Sequence, residues 1–144
     1  MNLSTPPPVT AALREWHRMI DTADLAALTA LLHPDVVFRS PAAFKPYEGA
    51  PAVTLILRTV FGVLSGFAYE RQFATGDGFD VALEFRAMVG ERQLKGIDLI
   101  RFDAEGRIVD FEVMIRPASG LAALADEMGR RLAAAMPAGR AGGA

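Results

Sequence analysis

Four strand-like segments separated by three turn signals fill the stretch from Phe67 to Ile115, and this run restricts the chain more than any other feature. The signals are Gly76-Asp77-Gly78, Gly90-Glu91 and Asp103-Ala104-Glu105-Gly106. Glycine beside a small acidic residue suits the tight backbone of a hairpin turn, so successive strands here are expected to be antiparallel neighbours. In such a pair the partner numbers sum to a constant, and alternate residues share a face. A two-residue turn at Gly90-Glu91 sets Val89 opposite Arg92, which places Phe85 opposite Gly96 and Leu83 opposite Asp98. A four-residue loop from Asp103 to Gly106 sets Phe102 opposite Arg107, Asp98 opposite Phe111 and Ile100 opposite Val109.

One face then carries Val81, Leu83, Phe85, Ala87, Leu94, Asp98, Ile100, Val109, Phe111, Val113 and Ile115, with Asp98 its only ionisable member. A carboxyl group among Leu83, Ile100 and Phe111 is expected to have its pKa raised by desolvation. The other face carries Glu84, Arg86, Arg101, Asp110 and Glu112, but also Ile97, Leu99, Ile108 and Met114. It is too apolar to be left to water. A homodimer through Ile97, Leu99, Ile108 and Met114 is expected, with partial cover by the last helix as the alternative.

Helical periodicity brackets the meander. Leu13, Trp16, Met19 and Ile20 fall on one face of a helix from Val9 to Ile20 with Thr10 as its cap, and Leu25, Leu28, Leu31 and Leu32 on one face of a second, capped by Asp24. His33-Pro34-Asp35 ends it, Val36-Val37-Phe38 forms a short strand, and Ala50 to Leu64 resumes the helical spacing with Val53, Leu57, Val60, Phe61 and Leu64 inward. A last helix is expected from Ser119 to Met136. The domain therefore spans 9–136, between a disordered proline-rich lead at 1–8 and a disordered Gly/Ala tail at 137–144. The fold class is α+β, with helices covering one face of a curved antiparallel sheet around an apolar pocket.

Composition excludes several functions. At 144 residues and 51% apolar content the chain suits one domain with one core. It has no cysteine and only two histidines, His17 and His33, which argues against a metal centre, and no cofactor is expected. A net charge of −2 without a basic stripe makes nucleic acid a poor partner. The lead lacks the basic start and apolar core of a signal peptide, and no apolar run has membrane-spanning length, so a cytoplasmic protein away from membranes is expected.

The order of elements, the stretch Asp24 to Leu28, and the hairpin Gly96-Ile97-Asp98-Leu99-Ile100-Arg101-Phe102-Asp103 with Gly106-Arg107-Ile108 resemble the NTF2-like superfamily, in its SnoaL-like polyketide cyclase and ketosteroid isomerase-like branch. The likeness covers Val9 to Met128 and implies a cone-shaped fold. In ketosteroid isomerases the segment around the oxyanion-hole aspartate is similar to Ile97-Asp98 and Arg101-Phe102, which puts the match on Asp98. A carboxyl group kept neutral by an apolar site in that enzyme is a standard example of tuning. The remaining machinery differs. Ser40 stands where those enzymes carry a carboxylate base, and Trp16 where they carry a tyrosine, so the same steroid reaction by the same mechanism is disfavoured. Limonene-epoxide hydrolases place a catalytic triad at positions resembling Ala87, Val113 and Phe85, which disfavours epoxide hydrolysis as well.

Asp98 is the candidate catalytic residue, as an acid, a base or a neutral donor to a ligand carbonyl; the alternative is a structural carboxyl bonded to Trp16, Tyr47 or backbone. Trp16, Phe38, Ser40, Tyr47, Leu57, Phe61, Leu83, Phe85, Ile100, Phe111 and Val113 are the candidate ligand-binding residues. Ser40 also suits a turn with Pro41, and the aromatics also suit a plain core. His17 is expected at the boundary of the first helix, His33 at a helix end. Three functions fit these residues: an isomerase or cyclase acting on a small hydrophobic carbonyl compound, a non-catalytic module for an apolar metabolite, or a homodimeric scaffold.

Overall fold

The computed structural model describes residues 3–135. Their elements are α1 (Pro7–Thr22), α2 (Leu28–Leu31), β1 (Leu32–Arg39), β2 (Tyr47–Glu48), α3 (Ala50–Val63), β3 (Ser65–Ala74), β4 (Asp80–Val89), β5 (Arg92–Phe102), β6 (Ile108–Arg116) and α4 (Ala118–Ala135). The strands form one six-stranded sheet in the order β2-β1-β6-β5-β4-β3. It is antiparallel except where β1 runs parallel to β6. The expected antiparallel sheet is thus a mixed one, because the segment from α3 to β5 intervenes between those two neighbouring strands.

The Gly90-Glu91 turn has the expected register, with Val89 opposite Arg92, Phe85 opposite Gly96 and Leu83 opposite Asp98. The next hairpin differs. Ile100 faces Phe111 and Asp98 faces Val113, with a register shift between Arg101 and Phe102, whose partner is Ile108. Asp103 N bonds Arg107 O at 2.8 Å, and Asp103 Oδ1 accepts from the backbone N–H groups of Glu105 and Arg107, so the loop closes one residue later than expected. The extra residue is absorbed as a bulge near Val109. Its consequence is local: Ile108 turns inward and is fully buried while Val109 is only half-buried, which removes Ile108 from the outer apolar set.

Helix boundaries follow chemistry the periodicity does not carry. The lead expected to be disordered is placed from Leu3 on; Leu3 packs on the core, Thr5 and Thr10 bond through their hydroxyls, and α1 starts at Pro7, where a missing N–H costs nothing. Thr10 therefore lies inside the helix and does not cap it. Ala23 in a left-handed conformation ends α1, with Asp24 N bonded to Met19 O. Asp24 Oδ1 accepts from Ala26 N in a turn, so α2 begins only at Leu28 and β1 takes over at Leu32. The expected tail at 137–144, and Met136, lie outside the described residues.

The core lies between the inner sheet face and the helices. Val9, Trp16 and Met19 of α1 and Val53 and Leu57 of α3 pack with Leu83, Ile100 and Phe111. A second cluster joins Phe85, Ala87 and Leu94 to Leu124 of α4. A Cβ at Gly120 would lie 2.9 Å from Gln93 O and from Leu94 Cβ, so only glycine lets the first turn of α4 approach β5 this closely. This places α4 on the inner face and leaves the outer face uncovered by the described chain. Ile97, Leu99 and Met114 are 38%, 36% and 49% exposed there.

Candidate active site

Asp98 sits in the middle of β5, flanked in the sheet by Leu83 of β4 and Val113 of β6. Only 3% of it is exposed. Its side chain borders a cavity of about 30 Å3, room for one water-sized group, walled by Phe38, Leu57, Phe61, Phe85, Phe111 and Val113 among other apolar residues. Every other wall residue is apolar, so burial pushes the Asp98 carboxyl up to about 7, against a smaller lowering by one hydrogen bond.

That bond comes from Tyr69 of β3, whose hydroxyl donates to Asp98 Oδ2 at 2.6 Å. The same hydroxyl accepts from Trp16 Nε1 at 2.9 Å. Burial and the neighbouring Asp98 carboxylate hold the Tyr69 phenol well above its ordinary pKa, so it stays protonated. The partner of Asp98 is therefore Tyr69, with Trp16 one step behind, and Tyr47 is not involved. Tyr69 is a functional candidate that sequence reasoning missed. The signal was the alternation Phe67, Tyr69 at the start of β3, but β3 carries two register shifts against β4, between Ser65 and Ala68 and between Tyr69 and Gln72, and these break the period of two.

A larger cavity of about 240 Å3 adjoins the first, lined by the Ser40–Ala43 loop, Tyr47, Ile56 and one side of α4. The two share Phe38, Pro41, Val60 and Leu124 as a common wall. A ligand in the larger space is thus separated from Asp98 by four apolar side chains, two of them on a loop and on the terminal helix. Three broader depressions, of about 480, 620 and 550 Å3, lie by Arg39 and Asp110, by His17, and on the outer side of the Ser40–Ala43 loop by Phe44 and Glu112. They are open to solvent, and none touches Asp98.

The other candidates separate clearly. Phe38 borders both cavities, while Ser40 and Tyr47 border only the larger one. Ser40 Oγ accepts from Ala42 N at 3.0 Å, the turn geometry its position suggested. Leu83 and Ile100 are fully buried in the main core and line neither cavity. Trp16 likewise lines neither cavity and acts through Tyr69. His17 is half-buried with its ring edge-on to Tyr69 at 5.3 Å, outside both cavities, and burial lowers its pKa. His33 Nδ1 accepts from Asp35 N at the start of β1. Among the described residues no group of acidic and histidine side chains is arranged to hold a metal, and no helix is long and apolar enough to cross a membrane.

Comparison with known proteins agrees with this architecture. A steroid delta-isomerase from Pseudomonas aeruginosa is 60% identical over 95% of this chain and 100% of that one, with a TM-score of 0.92. An uncharacterised bacterial protein with a cystatin-like fold from Silicibacter pomeroyi is 37% identical over 84% of each chain, with a TM-score of 0.78. An NTF2-like protein of unknown function from Mesorhizobium loti shares the fold alone, at 17% identity over 80% of this chain and all of that one, with a TM-score of 0.68. No curated protein sequence matches the chain. The family model of the SnoaL-like domain matches residues 13–111, from α1 to the Phe111 that walls the Asp98 cavity. The chain belongs to the SnoaL-like family, within the NTF2-like superfamily.

Proposed function

We propose that this protein is a cofactor-independent isomerase or cyclase acting on a small hydrophobic carbonyl compound, with Asp98 as its acid/base group. The observation that carries the proposal is a buried carboxyl group on the wall of an apolar cavity, with no cation beside it and its pKa near 7. A group poised there both takes and returns a proton at neutral pH. In the reaction we envisage, the substrate displaces the side chains of the shared wall, Phe38, Pro41, Val60 and Leu124, to join the two cavities; the Asp98 carboxylate then removes a proton from the carbon between a carbonyl and a double bond, and the resulting acid delivers it to the far end of the dienolate. The double bond moves into conjugation and no net proton is consumed. The name of the Pseudomonas aeruginosa relative supports the isomerase class. Ser40 offers no second base, which favours a reaction needing one proton carrier.

Binding of an apolar metabolite without turnover is the second reading, favoured by the scarcity of polar groups beside Asp98. For the uncovered outer face we propose an isologous homodimer through Ile97, Leu99 and Met114, and we place the protein in the cytoplasm. The test is conversion of a β,γ-unsaturated cyclic ketone by native and Asp98→Asn protein, with binding followed in parallel. Turnover that falls by roughly 100-fold or more in the variant, at similar affinity, supports the enzyme. Binding without turnover in both supports the carrier. An absence of binding in both removes both readings.

A further inference from the structure

The four side chains that separate the two cavities are not equally free to move. Phe38 is fixed in β1, where it pairs with Tyr47 on one side and Phe111 on the other, its ring 6.5 and 5.8 Å from theirs. Pro41 has a closed ring, and the bond from Ala42 N to Ser40 Oγ spans it. Val60 is branched at Cβ and lies in α3, where such a side chain keeps essentially one rotamer. Leu124 branches only at Cγ and retains two χ1 rotamers in a helix. It is also the one wall residue carried by α4.

That helix is held unevenly. One turn before Leu124, Gly120 is pressed against β5, where a Cβ would lie 2.9 Å from Gln93 O. Beyond Leu124, α4 faces the larger cavity with Met128 and Leu132, both half-buried, and with Gly129, an interior glycine that weakens the helix. Among the described residues, the only hydrogen bond from this distal stretch to another element is Arg131 Nη1 donating to Gly62 O at 3.2 Å, and the Arg131 side chain is exposed. The helix therefore has a firm pivot at Gly120 and a single tie at its far end, with Leu124 between them.

We infer that Leu124 is the specificity-determining residue of this site, a gate on α4 that turns aside to join the two cavities and so limits the size of cyclic ketone that reaches Asp98. The inference rests on the reading of the two cavities as the substrate site. Of the side chains a substrate displaces, Leu124 yields furthest, because its own rotamer and the swing of α4 about Gly120 both carry it outward. A ketone with one ring needs only the rotamer change. A fused second ring needs the helix to move as well.

The test compares two β,γ-unsaturated probes, the one-ring 3-cyclohexen-1-one and a fused two-ring octalone, in native protein, Leu124→Ala and Leu124→Ile. Leu124→Ala removes the gate, and the ratio of kcat/KM for the two-ring ketone to that for the one-ring ketone should rise by roughly tenfold or more. Leu124→Ile keeps the volume but stiffens the side chain, and the same ratio should fall by roughly threefold. A residue that only packs the core would change both ketones alike. Should Leu124→Ala fail to fold, Leu124→Met, of similar volume and greater freedom, takes its place with a smaller rise expected. A ratio unchanged in the folded variants overturns the inference. A ligand-free arm keeps it distinct from the proposed reaction. Joined cavities admit water to Asp98, so the midpoint of its carboxyl carbon in NMR should fall by about one pH unit or more in Leu124→Ala and stay in place in Leu124→Ile. If native protein turns over neither ketone, the proposed reaction fails while a lowered midpoint still supports the gate. A midpoint that does not move in Leu124→Ala overturns the gate as well.

Discussion

Asp98 and Glu84 are nearly the same residue in nearly the same place, and they behave in opposite ways. Both are carboxyl groups on central strands, one cross-strand step apart, since Leu83 pairs with Asp98 and Glu84 with Ile97. Both are buried, at 3% and 6% exposure. Glu84 points to the outer face, where Arg71 grips it with two hydrogen bonds of 2.8 and 2.6 Å and Lys95 stands 3.5 Å away. The Arg71 guanidinium is the largest influence on it and holds its carboxyl down at about 2. Asp98 points inward to a hydroxyl and apolar walls, and is pushed up to about 7. Depth of burial and the presence of a cation therefore decide together: Asp98 lies deep in the inner face with no cation, whereas Glu84 lies near the outer surface beside the exposed Arg71. A carboxylate locked by cations is structural, whereas one held by a single phenol remains free to exchange a proton.

The comparison breaks most readily at the packing that builds the inner face. A Cβ on Gly96 would lie 2.6 Å from Met114 O and would run into the Phe85 ring. Gly96→Val is expected to cost about 3 kcal/mol in urea unfolding; an unchanged midpoint would mean that Phe85 does not fill the inner face above Gly96.

Asp98→Asn separates the two carboxyl groups by the sign of their pH dependence. The folded pKa of Asp98, about 7, lies above its ordinary value of 3.8. The stability it contributes is therefore complete below about pH 4 and is lost as pH rises through 7. Asparagine keeps an acceptor for Tyr69 and carries no charge. It should stabilise the protein by about 4 kcal/mol at pH 8 and by no more than about 0.5 kcal/mol at pH 4. A destabilisation that is the same at both values would refute the assignment.

Glu84→Gln should act with the opposite sign. The folded pKa of Glu84, about 2, lies below its ordinary 4.5, so its contribution is complete above pH 4.5 and is lost as pH falls toward 2. The variant should show a lower urea midpoint at pH 7 and a flatter loss of stability between those limits. An acid limb identical to that of the native protein would show that Arg71 does not hold the residue in solution.

The smallest effect is expected on the outer face. With Met114 half exposed, Met114→Ser should change the stability of the single chain by no more than about 0.5 kcal/mol. If the proposed homodimer forms, the same change should raise its dissociation constant in sedimentation runs. A native chain that sediments as a monomer at every concentration tested would remove the dimer.

Much of this contrast was legible from turn arithmetic. The Gly90-Glu91 turn set Leu83 opposite Asp98, and alternation then sent Asp98 inward and Glu84 outward. The family likeness and the apolar neighbours pointed to the same carboxyl group. Four things were hidden, each for a physical reason. The bulge near Val109 exchanged the inward roles of Ile108 and Val109, because one extra residue inverts a period of two. The shifts in β3 concealed Tyr69, the residue that bonds Asp98. The depth of the cavity was also hidden: a sequence can say that Phe38, Phe61, Phe85 and Phe111 face one another, but it does not say that they close to about 30 Å3 beside the carboxyl group. The pairing of Glu84 with Arg71 required a β3–β4 register that the same shifts obscure.

The central claim is that the inner face keeps Asp98 without a cation and therefore protonated up to neutral pH. It is tested most directly by following the Asp98 carboxyl carbon in native, ligand-free protein by NMR from pH 3 to pH 9, with Asp98→Asn used to assign the signal. A midpoint at about 7 is the predicted result. A midpoint at or below the ordinary value of 3.8 would contradict it, since Asp98 would then be a fixed anion like Glu84.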